Sequence, residues 1–294
     1  MKVVLLAGGL GSRLAEETQR IPKPMVEVAG RPIMLHVMDI YAKHGLCDFV
    51  VACGYKAVVM KRFFQDLHLM GNDLTVSLGD GGLALAPLRD ATGVAAQQRR
   101  WNISVVDTGL HTMTGGRLRR LRDWIGGETF MVTYSDGVGN IDIDALLAFH
   151  NSHGRLATVT AVQPPARFGS LDLGDDFPAG GVAGEGGPVR AFTEKINAQD
   201  TWINGGFFVF EPEVLDYVDG DGVPLEKEPL ARMAEDGQLA AFKHRGFWHP
   251  MDTLRDKQTL ERLAADPPPP WMREDVPAVT TTDALPDRRP VHLQ

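Results

Sequence analysis

A short apolar run that ends in a glycine-rich turn, close to the first residue, constrains the fold of this chain most strongly. Residues 2–6 are Lys-Val-Val-Leu-Leu, and residues 7–14 are Ala-Gly-Gly-Leu-Gly-Ser-Arg-Leu. A buried strand that stops in such a turn leaves backbone N–H groups free, and glycine lets them approach an anion because it has no Cβ. Arg13 adds a positive charge, and Lys23 adds a second between two prolines. The stretch is typical of a triphosphate-binding site.

The spacing of these glycines excludes two common nucleotide-binding motifs. A dinucleotide fingerprint needs a third small residue where this chain has Leu14. A Walker A loop needs Lys followed by Ser or Thr, which does not follow these glycines. From the glycines alone, an ordinary strand-to-helix turn is an equal alternative. Arg13 and the Pro-Lys-Pro sequence around Lys23 favour phosphate binding.

Composition limits the class of protein. A chain of 294 residues suits one large α/β domain, or a domain with an appendage. Its net charge of −8 argues against sequence-independent nucleic-acid binding, which needs a basic face. Two cysteines are too few for a disulfide framework or a cysteine-rich zinc site. We see no apolar run of about 20 residues and no signal peptide, so we expect no membrane partner and a cytoplasmic location.

Strand and helix patterns alternate along the first half of the chain, which predicts an α/β fold. We expect a Rossmann-like mixed, mainly parallel sheet flanked by helices, with a small β-rich portion towards the C-terminus. Predicted strands cover residues 2–7, 49–53, 73–78, 102–107, 129–134, 157–162, 169–173, 189–193 and 206–210. Predicted helices cover residues 33–44, 58–69, 113–124, 142–150, 229–236 and 254–263. We predict a long loop or helical excursion over 79–100, a mobile hairpin insertion over 174–188, and a folded unit that ends near residue 266.

Two aspartates are candidates for metal binding. Asp136 follows an apolar strand, and Mg²⁺ prefers one or two carboxylates together with phosphates and water. The alternative for Asp136 is a turn residue or helix N-cap. Asp252 precedes a predicted helix and on its own is more often an N-cap, although with Asp136 it could complete a two-carboxylate site. Asp142 and Asp144 fit a helix N-terminus.

A Glu-Lys pair is the candidate for binding a phosphorylated sugar. Glu194 can accept bonds from sugar hydroxyls while Lys195 reaches a monophosphate, although an exposed charged pair at a strand edge fits equally. Asn204 lies near the start of the next strand, where turn chemistry is the alternative. The nine histidines show no metal-binding spacing, and we find no G-x-S-x-G elbow or nucleophile–base–acid set.

Longer motifs resemble a known family. L-A-G-G-L-G-S-R-L at 6–14 with P-K-P-M at 22–25 resembles the signature of sugar-1-phosphate nucleotidyltransferases. Within them, W-N-I-S-V-V-D-T-G at 101–109, I-N-G-G-F-F-V at 203–209 and G-F-W-H-P-M-D-T-L-R-D-K at 246–257 resemble glucose-1-phosphate cytidylyltransferases. The resemblance extends from residue 1 to about 264. It implies the nucleotide-diphospho-sugar transferase fold and an enzyme that joins CTP and α-D-glucose 1-phosphate into CDP-glucose and pyrophosphate, with Mg²⁺.

The resemblance also implies a site. Catalytic residues would be Arg13, Lys23 and Asp136, and the metal ligands would be Asp136 and Asp252. Nucleotide-binding residues would be Leu6, Ala7, Gly8, Gly9, Leu10, Gly11, Ser12, Arg13, Lys23, Thr112, Arg117 and Ser135. Sugar-phosphate-binding residues would be Glu194, Lys195 and Asn204. Residues 1–266 would form the nucleotidyltransferase domain, with a nucleotide half over about 1–150 and a sugar-phosphate half over about 151–266. Independently of the resemblance, the proline-rich, non-periodic sequence of 267–294 predicts a flexible tail. Family members form oligomers, so we expect a homo-oligomer.

Two departures from the family pattern bear on the sugar. Ser135-Asp136-Gly137 stands where the family commonly has Gly-Asp-Gly, and the 174–188 insertion is longer than usual. A cytidylyltransferase for another phosphorylated acceptor is therefore an alternative. A non-catalytic nucleotide-binding protein is a second, disfavoured because the full charge set is retained. An NAD-dependent oxidoreductase is a third, disfavoured by Leu14.

Overall fold

The fold is taken from a computed structural model, which describes residues 1–78, 81–87, 100–163, 170–173, 189–193 and 202–273. Its strands are β1 (Val3–Ala7), β2 (Glu27–Val28), β3 (Arg31–Pro32), β4 (Asp48–Cys53), β5 (Asn72–Ser77), β6 (Gly82–Pro87), β7 (Asn102–Asp107), β8 (Phe130–Tyr134), β9 (Gly137–Gly139), β10 (Ala157–Val162), β11 (Ser170–Leu173), β12 (Val189–Thr193), β13 (Ile203–Phe210), β14 (Leu239–His244) and β15 (Trp248–Pro250). Its α-helices are α1 (Ala15–Thr18), α2 (Ile33–Ala42), α3 (Ala57–Met70), α4 (Thr114–Arg120), α5 (Arg122–Ile125), α6 (Ile143–His153), α7 (Glu228–Glu235) and α8 (Leu254–Ala264).

A seven-stranded mixed sheet forms the centre of the described molecule, in the order β14-β10-β13-β8-β1-β4-β7. Strand β1 is parallel to β4 and β8, β4 is parallel to β7, and β10 is parallel to β14. Strand β13 runs antiparallel to both of its neighbours, β8 and β10. Small antiparallel pairs accompany this sheet. The predicted mainly parallel α/β fold is confirmed.

Strand β1 shows why the first apolar run occupies the middle of the sheet. Val3 and Leu5 pack in one core cluster together with α2, whereas Val4 and Leu6 pack in a second cluster together with Leu118. Successive residues of a strand point to opposite faces, so a strand covered on both faces must be apolar throughout. All five residues of β1 are buried. The 2–6 run could not serve as a surface strand.

The sheet brings the candidate site residues to one edge. The carboxyl ends of the parallel strands β1, β4, β7 and β8 lie there, and the glycine turn follows β1 directly. Because β13 is antiparallel to β8, its first residues lie at the same edge. Ligands of open α/β sheets bind beyond the carboxyl ends of the strands. The edge is therefore the expected place for a binding site.

Several local predictions were wrong. Residues 82–87, predicted as loop or helix, form β6 and pair with β5 as an antiparallel hairpin, whereas 88–99 lie outside the described residues. Strand β14 was not predicted. The predicted helix over 113–124 is broken at Leu121 into α4 and α5. The 174–188 insertion also lies outside the described residues, although β11 and β12 on either side of it pair antiparallel.

The packed chain continues past Asp266, where we expected the folded unit to end. Trp271 is only 2% exposed and belongs to the main core cluster. Its ring lies edge-on to His36, with ring centroids 5.5 Å apart. The prediction of a flexible tail from 267 onwards is therefore wrong for residues 267–273. Residues 274–294 lie outside the described chain, and the division of 1–266 into two halves stays a prediction.

None of the described helices combines the length and apolarity that crossing a bilayer requires.

Candidate active site

A cavity of about 700 Å³ opens at this edge, between the ends of β1 and β8 and the start of β13. Most of the predicted site residues line it, from the turn after β1 to Asp252. Leu10 is the exception among those described: it is 60% exposed and is not part of the lining. Glu194 and Lys195 lie outside the described residues. The cavity therefore brings together residues that the sequence places far apart.

The glycines of the turn have two distinct functions. A Cβ on Gly8 would fall 2.1 Å from Cζ of Arg117, so a larger residue requires the Arg117 side chain to move. Gly11 has φ +66°, and a Cβ there would fall 2.7 Å from Cγ2 of Thr18. A Cβ on Gly9 would meet no described atom within 4 Å. Gly8 and Gly11 are needed for the shape of the turn, whereas Gly9 leaves the backbone uncovered at the cavity.

Arg117 holds the glycine turn in place through hydrogen bonds. Its guanidinium donates to the carbonyl oxygens of Gly8 (3.0 Å), Cys53 (2.8 Å) and Gly109 (2.8 Å), and to the hydroxyl of Thr108 (2.7 Å). These acceptors follow β1, β4 and β7 or end them, so one side chain ties three strand ends together. Burial lowers the pKa of this guanidinium. Contact of Arg117 with a nucleotide stays a prediction.

Two cations and two carboxylates meet at the mouth of the turn. Lys23 Nζ lies 2.5 Å from Oδ2 of Asp136 and 2.8 Å from Oδ1 of Asp252. Arg13 Nη1 lies 2.8 Å from Oδ2 of Asp252. Burial lowers the pKa of the Lys23 ammonium, but the charges and hydrogen bonds of Asp136 and Asp252 outweigh burial, so the pKa is raised. Lys23 is therefore a buried ammonium, charged at neutral pH, between two carboxylates.

Strand pairing outside the main sheet brings the two aspartates together. Asp136 follows β8, and β9 then pairs with β15, which precedes Asp252. The Met251 N–H also donates to the Asp136 carbonyl oxygen at 2.8 Å. Thr253 is the N-cap of α8, so the alternative reading of Asp252 as that N-cap is wrong. Asp142 is the N-cap of α6, and it accepts the Ala145 N–H as a helix N-terminal carboxylate does.

The serine before Asp136 is satisfied within the fold. Ser135 is 2% exposed, and its hydroxyl donates to the carbonyl oxygen of Leu6 at 2.9 Å. Strands β1 and β8 are neighbours, so this bond links their carboxyl ends. Ser135 is a cavity-lining residue whose hydroxyl stabilises the sheet edge.

A hydrogen-bonded chain on the cavity wall was missed by sequence reasoning. Oε2 of Glu226 accepts the hydroxyl of Thr114 and Oε1 accepts the hydroxyl of Tyr134, both at 2.6 Å. Asn204 Nδ2 donates to the Tyr134 hydroxyl oxygen at 3.2 Å, and the Gly206 N–H donates to Asn204 Oδ1 at 2.8 Å. Burial, and then the Glu226 charge, raise the pKa of Tyr134. These partners are too far apart in the sequence for any spacing rule to connect them.

A separate cavity of about 320 Å³ lies beside α6. It contains a His-Asp-Asp cluster, His44, Asp142 and Asp144, with one ligand atom from each within 4.8 Å of the others. Within the described chain this cluster has the ligand types and spacing of a metal-binding group, which histidine spacing did not predict. In this cluster, Nδ1 of His44 lies 2.7 Å from Oδ2 of Asp144. None of the three lines the larger cavity.

Comparison with known proteins identifies the class. A family model described as nucleotidyl transferase matches residues 2–256. The chain belongs to this family. The solved structure of HddC from Yersinia pseudotuberculosis has the same fold, with a TM-score of 0.59 and 21% identity over 89% of this chain and 98% of that one.

Curated relatives are more specific. The chain is 45% identical over 272 residues to glucose-1-phosphate cytidylyltransferase of Salmonella typhi, covering 92% of this chain and 98% of the relative. It is 38% identical over 264 residues to the probable glucose-1-phosphate cytidylyltransferase of Bacillus subtilis, covering 90% and 96% of the two chains. The resemblance to glucose-1-phosphate cytidylyltransferases is confirmed.

Proposed function

We propose that the protein transfers the cytidylyl group of CTP to α-D-glucose 1-phosphate, giving CDP-glucose and pyrophosphate. The observation that carries this proposal is the meeting of Lys23 and Arg13 with Asp136 and Asp252 beside an uncovered glycine turn. Such a site places two cations, two carboxylates that can hold a divalent ion, and backbone N–H groups where a triphosphate would lie. The names of the curated relatives supply the base and the sugar.

The proposed reaction needs no nucleophile from the protein. A phosphate oxygen of glucose 1-phosphate forms a bond to the α-phosphorus of CTP, and the bond from that phosphorus to the bridging oxygen of pyrophosphate breaks. Catalysis then consists of positioning and charge neutralisation. Arg13 and Lys23 neutralise the phosphates, and the turn around Gly9 binds them. Burial raises the pKa of the Cys53 thiol to about 12, which leaves that sulfur protonated and inert.

We propose Mg²⁺ as the metal, held by Asp136 and Asp252. The two carboxylates converge on the Lys23 ammonium, so their oxygens already face one cationic position. A pair of carboxylates beside a phosphate site fits the ligands that Mg²⁺ prefers. When bound, the ion would neutralise phosphate charge. Lys23, which lies between the two carboxylates, would supply a further positive charge to the reacting phosphates.

The remaining site assignments belong to this proposal. The turn residues with Thr112, Arg117 and Ser135 bind CTP, and Asn204 binds the hexose with Glu194 and Lys195. We also propose a homo-oligomer and no nucleic-acid partner. Support for the oligomer comes from the β5–β6 hairpin, which exposes a row of apolar side chains.

Pyrophosphate release tests the proposal directly. The purified protein would be assayed with Mg²⁺ and CTP against glucose 1-phosphate, galactose 1-phosphate, mannose 1-phosphate and a non-sugar phosphate. We expect the highest kcat/KM with glucose 1-phosphate, and a lower value when UTP replaces CTP. Activity with another acceptor several orders of magnitude higher would contradict the proposed sugar. CTP binding without turnover of any acceptor would support a non-catalytic nucleotide-binding protein.

A further inference from the structure

Glu226 lies on the cavity wall without a part in the phosphate chemistry. It lies two residues before α7, it is exposed, and it lines the cavity with Tyr134 and Asn204. Its carboxylate accepts one hydroxyl on each oxygen, from Thr114 and from Tyr134. Thr114 in turn accepts the Leu225 N–H at 2.9 Å. Two short bonds therefore hold a negatively charged group at a chosen place beside the substrate.

The same bonds fix the orientation of Asn204. The Tyr134 hydroxyl donates its proton to Glu226, so its oxygen is left to accept from Nδ2 of Asn204. The Asn204 oxygen accepts the Gly206 N–H. A flip of the Asn204 amide would place donor against donor at Gly206 and leave Nδ2 without the Tyr134 oxygen. The Gly206 N–H and, through Tyr134, the Glu226 carboxylate therefore favour the same orientation of the Asn204 amide.

The hydrogen-bonding positions of Glu226 and Asn204 that the protein does not use indicate the kind of ligand that fits. A carboxylate has about four acceptor positions. Thr114 and Tyr134 occupy two of these on Glu226, and the others are open to hydroxyl donors in the cavity. Asn204 keeps a second Nδ2 proton for donation. Acceptors beside a donor suit sugar hydroxyls, each of which donates once and accepts twice, whereas a phosphate would be repelled by the carboxylate.

We propose that Glu226 is a specificity-determining residue that accepts hydroxyls of the acceptor hexose and, through Tyr134, positions Asn204 against the same sugar. This inference rests on the proposed function. Hydroxyls could also come from the ribose of CTP. The hexose is the better match because Asn204 lies in β13, on the opposite side of β8 from β1 and its glycine turn.

The test compares Glu226→Gln and Tyr134→Phe with the control Glu228→Gln. The control removes a negative charge two residues from Glu226, from a side chain that does not line the cavity. For Glu226→Gln we expect KM for glucose 1-phosphate to rise roughly 10–100-fold, since a charged hydrogen bond is lost. The Kd for CTP, measured by calorimetry, should stay within about twofold because the phosphate site is untouched. Tyr134→Phe should give a smaller rise, and Glu228→Gln none.

Deoxy analogues identify the hydroxyl that is recognised. Among the monodeoxyglucose 1-phosphates, wild-type protein should lose roughly tenfold or more in kcat/KM with at least one, and Glu226→Gln should no longer discriminate against that analogue. An unchanged KM for glucose 1-phosphate in Glu226→Gln would overturn the inference. So would a loss of discrimination confined to 2′- or 3′-deoxy-CTP, which would place the ribose at Glu226.

Failure of the proposed function has a different signature. If wild-type protein used another sugar phosphate, the proposed substrate would be wrong, and the same variants would be measured with that sugar. If no sugar phosphate were used, both proposals would fail. Should Glu226→Gln not fold, as judged by circular dichroism, Tyr134→Phe carries the test: an unchanged KM for the sugar in that variant would overturn the inference.

Discussion

At the scale of single residues, Lys23 shows how burial and charge compete. Its side chain is 11% exposed, and burial alone would lower its pKa. Asp136 and Asp252 raise it above the ordinary lysine value of 10.5. A raised pKa means that the folded chain holds this proton more tightly than the unfolded chain does. The stabilisation is complete below pH 10.5 and is lost as the pH rises through the folded-state pKa, so Lys23 stays charged at neutral pH.

Replacement of Lys23 should therefore affect turnover more than any other single change in the turn. For Lys23→Ala we expect kcat to fall roughly 10²–10³-fold, the size seen when one charge-stabilising group is removed from a transition state. Steady-state kinetics of pyrophosphate release, with the Kd for CTP, would measure this. Lys61→Ala, which removes an exposed lysine of α3, is the matched control. A wild-type kcat in Lys23→Ala would contradict the assignment of Lys23 to the reacting phosphates.

The residues that sequence reasoning could place are those close together in the chain. Arg13 and Lys23 share one short stretch with the glycines, so their meeting was foreseeable from spacing. Asp136 and Asp252 lie close together because β9 pairs with β15, and no local sequence pattern predicts that pairing. Tyr134 and Glu226 are 92 residues apart, and Tyr134 reads simply as the last residue of an apolar strand. Only the folded chain brings these two residues together on the cavity wall.

At the scale of elements, the strength of the local pattern decided what could be predicted. Strands β1, β4 and β8 are apolar runs, as strands covered on both faces of a sheet must be. All three were predicted. Strand β6 is Gly-Leu-Ala-Leu-Ala-Pro, without a β-branched or aromatic residue, and β14 pairs with β10 across a long sequence separation. Weak β-propensity and non-local pairing explain why both were missed. The apolar spacing of the sequence continues through Leu121, so it did not show that the predicted helix breaks there.

The turn between β1 and α1 offers a matched pair of glycines. In Gly8→Ala the new methyl group would overlap the Arg117 guanidinium and disturb its bonds to three strand ends. We expect a loss of about 1–3 kcal/mol in the free energy of unfolding, from overpacking and from acceptors left without a donor. Thermal or urea denaturation followed by circular dichroism would measure it.

Gly9→Ala is the control for that experiment, because its methyl group would enter open space at the cavity. Its stability should remain within about 0.5 kcal/mol of wild type, while its affinity for CTP should fall because the turn is no longer bare. Equal destabilisation by the two substitutions would contradict the distinct functions assigned to Gly8 and Gly9.

At the scale of the whole molecule, the β5–β6 hairpin is the clearest unpartnered surface of the described chain. Register places Leu74 opposite Leu85 and Val76 opposite Leu83, so the four side chains share one face. Their exposed fractions run from 37% to 58%. A contiguous apolar face of this kind marks an interaction site. We propose it as the contact surface of the expected homo-oligomer.

Charge introduced on that face should separate the subunits. We expect wild-type protein to have a mass in solution several times that of one chain, and Val76→Glu/Leu83→Glu to approach the mass of one chain, because two carboxylates would have to be buried without partners. Light scattering coupled to size-exclusion chromatography measures both. Thr75→Glu adds a charge on the opposite face of β5 and should leave the mass unchanged. A monomeric wild type, or an oligomer that survives both substitutions, would show that the hairpin face is not the contact.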